Sequence, residues 1–285
     1  LTWGILLGLG ASLGWGVSGF LGGLQSRLTP PLLITFWSQL IGSVILLAAI
    51  LFAGAPPAWG GIGWGMVAGL FGSSALVLFY RGMSIGLVSI VTPVASCGAL
   101  VPVLLGLAQG QTITGRAGIG LALAFAGIVL VSLQTGASHG RATHPRRALL
   151  YALGAALGFG LFFVFAARGT AIAQEAPLWV TAGARTGGLT LLFTTQLLLL
   201  RNGLPEWPGR HIIRLGLIGL IDTSATGLFT LATLAPNLGI VAVLASLYPV
   251  VTILLGRLLL AERLTPPQYG GIALALAGVA LIAAP

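Results

Sequence analysis

Residues 69–79 read GLFGSSALVLF and residues 219–229 read GLIDTSATGLF. The two stretches share six of eleven residues at an offset of 150, and the second sets a carboxylate, Asp222, among apolar neighbours. The likeness extends outward. At the same offset Ile90-Val91 meets Ile240-Val241, Ala95-Ser96 meets Ala245-Ser246, and Gly106 meets Gly256. One residue later in offset, GIGLALAFAGIVLV (118–131) meets GGIALALAGVALI (270–282), with Gly127 opposite Gly278. Nearer the start of each half, ASLGWG (11–16) resembles AALGFG (155–160). A chain that repeats itself over half its length is a duplication, and that constrains the architecture before any motif is weighed.

What is duplicated follows from composition. Of 285 residues 57% are hydrophobic and 6% charged, against roughly 25% charged in a soluble domain. Ten apolar runs recur, near 3–25, 31–53, 61–82, 86–108, 113–135, 147–169, 178–200, 211–234, 238–260 and 267–284. Each is close to the ~20 residues that a helix needs to cross a bilayer. The expected fold is an all-α integral membrane protein of ten transmembrane helices. Residues 1–135 hold the first five, 136–146 form a polar connector (GASHGRATHPR), and 147–285 hold the second five. Five is odd, so the second unit enters the membrane from the opposite side and the repeats are inverted. Inverted repeats suit a carrier, because two packings related by a pseudo-two-fold axis open the centre to either face at similar energy. The plainer reading is a duplicated bundle without a cavity.

All 13 basic residues are Arg, scattered mostly at the ends of the runs. Anionic headgroups explain them more simply than nucleic acid, which needs a dense basic face. The one cysteine, Cys97, lies within a run and excludes an internal disulfide. The three histidines, His139, His144 and His211, are peripheral and show no metal-ligand spacing. No metal or cofactor is expected. The first run is as long as the others and lacks a basic leader, so no cleavable signal is expected.

An ionisable side chain at bilayer depth costs about 2.5–3.5 kcal/mol on insertion scales, and so faces a partner or a wet cavity. Arg185 and Asp222 are the two at depth. On the eighth run Asp222, Thr226, Phe229, Thr230 and Thr233 share a face at helical spacing. On the seventh, Arg185 shares one with Thr181 and Gly188; on the fourth, Ser89, Thr92 and Ser96 fall together beside Pro93. Two readings stay open for Arg185: a fork of donors for a substrate carboxylate or phosphate, or an internal salt bridge to Asp222. Asp222 also admits a role as the protonation site of a proton-coupled exporter, since membrane carboxylates serve in proton relays. Trp15, Trp37, Gln39, Phe79, Tyr80, Phe159 and Tyr248 join Ser96, Arg185, Asp222 and Thr226 as candidates to line a substrate cavity. Trp3, Trp59, Trp64, Trp179 and Trp207 lie near run ends, where an interfacial belt accounts for them. Small residues four apart, as in Gly4-Gly8, Gly10-Gly14 and Gly118-Ala122-Ala126, read as close helix packing. Pro93, Pro102 and Pro249 are hinge candidates.

The stretch ASLYPVVTILLGRLLLAERLTPPQYGGIALALAGVALI (245–282) resembles the drug/metabolite transporter superfamily, specifically its ten-helix EamA branch. Pro249, Glu262, Gly271 and Gly278 stand at that branch's helix proline, helix-end Glu and last-helix glycines. The first half keeps the pattern loosely: Pro102 or Pro93 takes the proline's place, and QGQ (109–111) stands where a Glu is expected. Trp15 matches a common aromatic of the first helix, with Phe159 as its counterpart. The resemblance implies an alternating-access secondary transporter of small polar metabolites, with export of amino acids or related compounds first. Exchange of phosphorylated or nucleotide-type metabolites and multidrug efflux are the alternatives. It also implies a bacterial cytoplasmic membrane, with a small molecule and lipid as partners. An intramembrane enzyme would need a cluster such as HExxH at depth, and none occurs. Orientation stays open: about ten Arg follow odd-numbered runs and two follow even-numbered ones, which by the positive-inside rule puts both termini outside, whereas the branch has them in the cytoplasm.

Overall fold

The computed structural model describes residues 2–26, 28–86, 88–132, 144–200, 207–259 and 265–283, and among these all regular structure is helical. The first unit comprises α1 (Thr2–Gln25), α2 (Pro31–Phe52), α3 (Trp59–Ile85), α4 (Val88–Ser96), α5 (Leu100–Ala108) and α6 (Gly115–Ser132). The second comprises α7 (Pro145–Ile172), α8 (Leu178–Leu200), α9 (Ile212–Ala232), α10 (Leu238–Ala245), α11 (Tyr248–Leu259) and α12 (Pro266–Ala283). These are ten spans, two of them in pieces. The fourth is broken by a 3-10 turn at Cys97–Ala99, and the ninth at Ser246-Leu247. The breaks fall at equivalent places, since Ser96 and Ser246 are partners at the offset of 150. Proline explains why neither span runs through. Pro93 inside α4, Pro102 near the start of α5 and Pro249 as the second residue of α11 each lack the N–H that an unbroken helix would use.

Seven helices are long and apolar enough to cross a membrane, and the described parts of α6 and α12 are shorter apolar helices. The tenth, α8, spans about 34 Å at 1.5 Å per residue but carries Arg185 and a row of threonines. Its exposed Thr186, Thr190 and Thr194 each donate to a carbonyl one turn back, at 2.8–3.0 Å, so these three hydroxyls do not face lipid unsatisfied.

The two units interlock rather than lie side by side. The most extensive helix contacts run between units and come in pairs: α3 packs on α7 as α9 packs on α1, and α3 on α8 as α9 on α2, while α6 meets its own counterpart α12. That is the contact pattern of two inverted repeats about a pseudo-two-fold axis. Glycines make the close approaches. A Cβ on Gly69 would strike the Ala184 carbonyl of α8, and one on its repeat partner Gly219 would strike the Ser38 carbonyl of α2. Gly120 and Gly278 face each other across α6 and α12 in the same way. Gly4 and Gly14 of α1 lie against Ala235 and Ala225, but Gly118 touches nothing within 4 Å, so its small-residue row is not a packing seam.

Candidate functional site

Where the interlocked spans meet, a chamber of about 90 Å³ lies at the centre of the bundle. That is well above the roughly 10–15 Å³ that one water needs, so the chamber can hold water. Its polar wall comes from α8 and α9. Arg185 Nη2 lies 2.8 Å from Asp222 Oδ2, with the side chains 7% and 16% exposed. The same Nη2 donates to Thr226 Oγ1 at 2.8 Å, and Trp15 Nε1 approaches that oxygen at 3.4 Å. Thr226 in turn donates to the Asp222 carbonyl at 2.8 Å. Below it Thr181 donates to Thr230 at 2.9 Å, carrying the polar ladder of α9 across to α8. Arg185 Nε is buried without a partner, so one face of the fork is unused.

A second polar group packs against α8 at Gly188, one turn from Arg185. Gln39 Nε2 donates to Ser73 Oγ at 2.8 Å, and Ser73 Oγ sits 3.1 Å from Gln39 Oε1. Gly188 makes the pairing possible, because a Cβ there would overlap both groups. The ion pair and this amide–hydroxyl pair both line the chamber.

Aromatic side chains border the space in two layers, which correspond in part under the repeat. In one, Trp15, Phe162, Phe163 and Phe229 pack with ring centroids 4.8–6.3 Å apart. In the other, Phe79 packs on Tyr80, Phe159 and Tyr248 at 5.9–6.1 Å. Phe229 is the repeat partner of Phe79, and Trp15 that of Phe159, so the Trp15–Phe229 contact mirrors Phe159–Phe79. Rings this close exceed ordinary packing by about 0.5–1.5 kcal/mol per pair. The duplicated phrase itself lines the chamber twice: Gly72 and Leu76 from the first copy occupy the places of Asp222 and Thr226 in the second.

Of the expected cavity residues, Trp15, Gln39, Phe79, Tyr80, Phe159, Arg185, Asp222, Thr226 and Tyr248 line the chamber. Trp37 does not: it packs edge-on to Phe36 and Trp207, 5.6 and 5.2 Å away. Ser96 is buried behind the lining with its hydroxyl on the Thr92 carbonyl at 2.9 Å. The Tyr248 hydroxyl points towards Ser96, is buried, and makes no hydrogen bond of good geometry. The sequence reading did not single out Ser73, Phe162 or Phe163. Ser73 was discoverable, since it stands inside the repeated phrase beside Gly72; the two phenylalanines sit in an apolar run where hydropathy does not mark the inward face. Trp64 stacks on Phe165 and Trp179 donates to the Ala55 carbonyl, so each has a protein contact beyond a belt role. Ser89's side chain, Glu262 and most of the polar connector fall outside the described residues. Among the described residues no group of His, Cys, Asp and Glu could hold a metal ion.

No curated protein matches the chain. One solved structure, described only as the crystal structure of a protein, superposes with a TM-score of 0.74 over 98% of this chain and 95% of that one. At 21% identity that likeness speaks for the fold alone. The family model for EamA-like transporters matches residues 2–133 and again 146–284, one match per unit. With both units covered, this integral membrane chain belongs to the EamA-like transporter family and is a transporter of the drug/metabolite type.

Proposed function

We propose that the protein carries small zwitterions, amino acids first, by alternating access through the central chamber. The observation that supports this is the Arg185–Asp222 pair at the chamber wall, with Arg185 Nε unused. Its two charges cancel. A substrate bearing a carboxylate and an ammonium exchanges that pair for two new ones and leaves no net charge in low dielectric. A phosphorylated substrate would bring about two negative charges against a single guanidinium, which disfavours the exchanger reading. The chamber's volume, about 90 Å³, also suits a small solute over a nucleotide. The two aromatic layers, each backed by a broken span, supply matched gates on either side. Export across a bacterial cytoplasmic membrane is the direction that the family likeness favours.

The test is ligand-induced stabilisation of the purified protein with an amino acid, its amide and its N-acetyl derivative, followed by counterflow in liposomes with the best ligand. The zwitterion raises the unfolding temperature, and each blocked form loses the effect. Equal stabilisation by a blocked form, or greater stabilisation by a sugar phosphate, would overturn the assignment.

A further inference from the structure

A second cavity, of about 350 Å³, shares no lining residue with the central chamber. It is a wedge between α1 and α9. Leu21, Leu24, Gln25 and Leu28 form one wall; Arg214, Leu217 and Ile218 form the other. The helices touch where Gly14 meets Ala225. Past that turn Leu21, Leu24, Leu217 and Ile218 line the gap between them. Leu24, Leu28 and Leu217 are exposed, so the wedge opens sideways to the bilayer.

Its mouth is polar. Arg214 is exposed and has no ion-pair partner among the described residues. Gln25 is buried beside it; its Nε2 donates to Thr29 Oγ1 at 2.7 Å and lies 3.2 Å from His211 Nδ1. A 3-10 turn at Gly209–His211 leads straight into α9, and the Ile212 N–H donates to the Gly209 carbonyl.

The repeat supplies an internal comparison. The offset of 150 carries Arg214 onto Trp64, and the offset that pairs Trp15 with Phe159 carries Leu21 onto Phe165 and Leu24 onto Arg168. There the space is filled by protein: Trp64 stacks on Phe165 at 5.8 Å and 14°, and the Arg168 guanidinium lies 5.9 Å above the Trp64 ring. Among the described residues, the same position in the α1–α9 pair has no ring and no ion-pair partner for its cation.

We propose that the α1–α9 wedge is a site for one anionic phospholipid. The acyl chain lies along Leu21, Leu24, Leu217 and Ile218, and the phosphate meets Arg214. The occupant follows from the setting. A groove that opens laterally within the span is reached by lipid, and a guanidinium at its polar end selects a negative headgroup.

Native mass spectrometry of the delipidated protein, titrated with dioleoylphosphatidylglycerol or dioleoylphosphatidylcholine, tests the site. One phosphatidylglycerol is retained per chain, and phosphatidylcholine binds at least fivefold more weakly, in line with about 1 kcal/mol per basic group near the headgroups. Arg214→Gln removes that preference. Arg146→Gln, an exposed arginine at the start of α7, leaves it intact. Leu217→Trp, which sets a ring into the wedge, abolishes binding of both lipids; Arg214→Gln, at an exposed position, keeps the test open if that variant fails to fold. Equal binding of both lipids, equal loss in Arg146→Gln and Arg214→Gln, or displacement of the lipid by inorganic phosphate alone would each overturn the proposal.

Discussion

Replacing either member of the Arg185–Asp222 pair, and then both, separates what the pair does for the fold from what it does for a ligand. Asp222→Asn keeps the shape but strands the charge of a residue that is only 6% exposed, with Thr226 as its remaining acceptor. Breaking a buried pair from one side costs about 3–5 kcal/mol, and the chamber's water places this case at the low end, about 3 kcal/mol. Arg185→Met strands the carboxylate instead. That side chain is 16% exposed to the chamber, so the loss falls to about 2 kcal/mol by the same reasoning. The double variant has no buried charge left. It loses about 2 kcal/mol, chiefly through the donors taken from Thr226 and the imperfect fit of Met, which makes the coupling about 3 kcal/mol. Reversible unfolding in mixed micelles, followed by tryptophan fluorescence, measures all three. The double variant is then folded and unable to hold a zwitterion, so its binding defect reports the site and not the fold. Losses that simply add to about 5 kcal/mol would show that the residues do not communicate. Single losses below about 0.5 kcal/mol would reduce the pair to a solvated bridge. Either result would refute the reasoning.

Gly69→Ala and Gly219→Ala each push a methyl into the carbonyl of a neighbouring helix; both lose about 2 kcal/mol of stability in the same unfolding assay, and a loss in only one would break the repeat correspondence of α3 and α9. Tyr248→Phe removes a buried hydroxyl that makes no hydrogen bond of good geometry, so stability changes by less than about 0.5 kcal/mol, while a larger loss would reveal a hidden partner. Asp222 already has a counter-ion at 2.8 Å, so the counterflow rate measured at equal pH on both sides of the liposome is unchanged when a proton gradient is then imposed. A gradient-driven rate that vanishes in Asp222→Asn would instead assign the coupling proton to that carboxylate.

Duplication and inversion were legible because both leave marks on the chain itself: residues recurring at one offset, and an odd number of apolar runs per copy. Arg185 and Asp222 were legible for an energetic reason, since a charge at bilayer depth is too costly to be accidental. The aromatic lining was legible only in part. Trp37 and Phe163 have the same hydropathic signature, yet one packs against Phe36 and Trp207 and the other faces the chamber. In lipid an outward ring and an inward ring are equally comfortable, so the sequence carries no penalty that tells them apart. The broken spans had the same ambiguity: Pro93, Pro102 and Pro249 permit a kink or a full break, and packing against the other unit decides which. The wedge between α1 and α9 lay further out of reach, because it exists only through the divergence of two helices that are some 200 residues apart in the chain. Local periodicity and the cost of buried charge therefore determine the spans, the repeat and the two ionised residues. Which faces meet, where the chamber closes and where lipid can enter are set by contacts between the units, and those depend on shape at a distance that no stretch of sequence encodes alone.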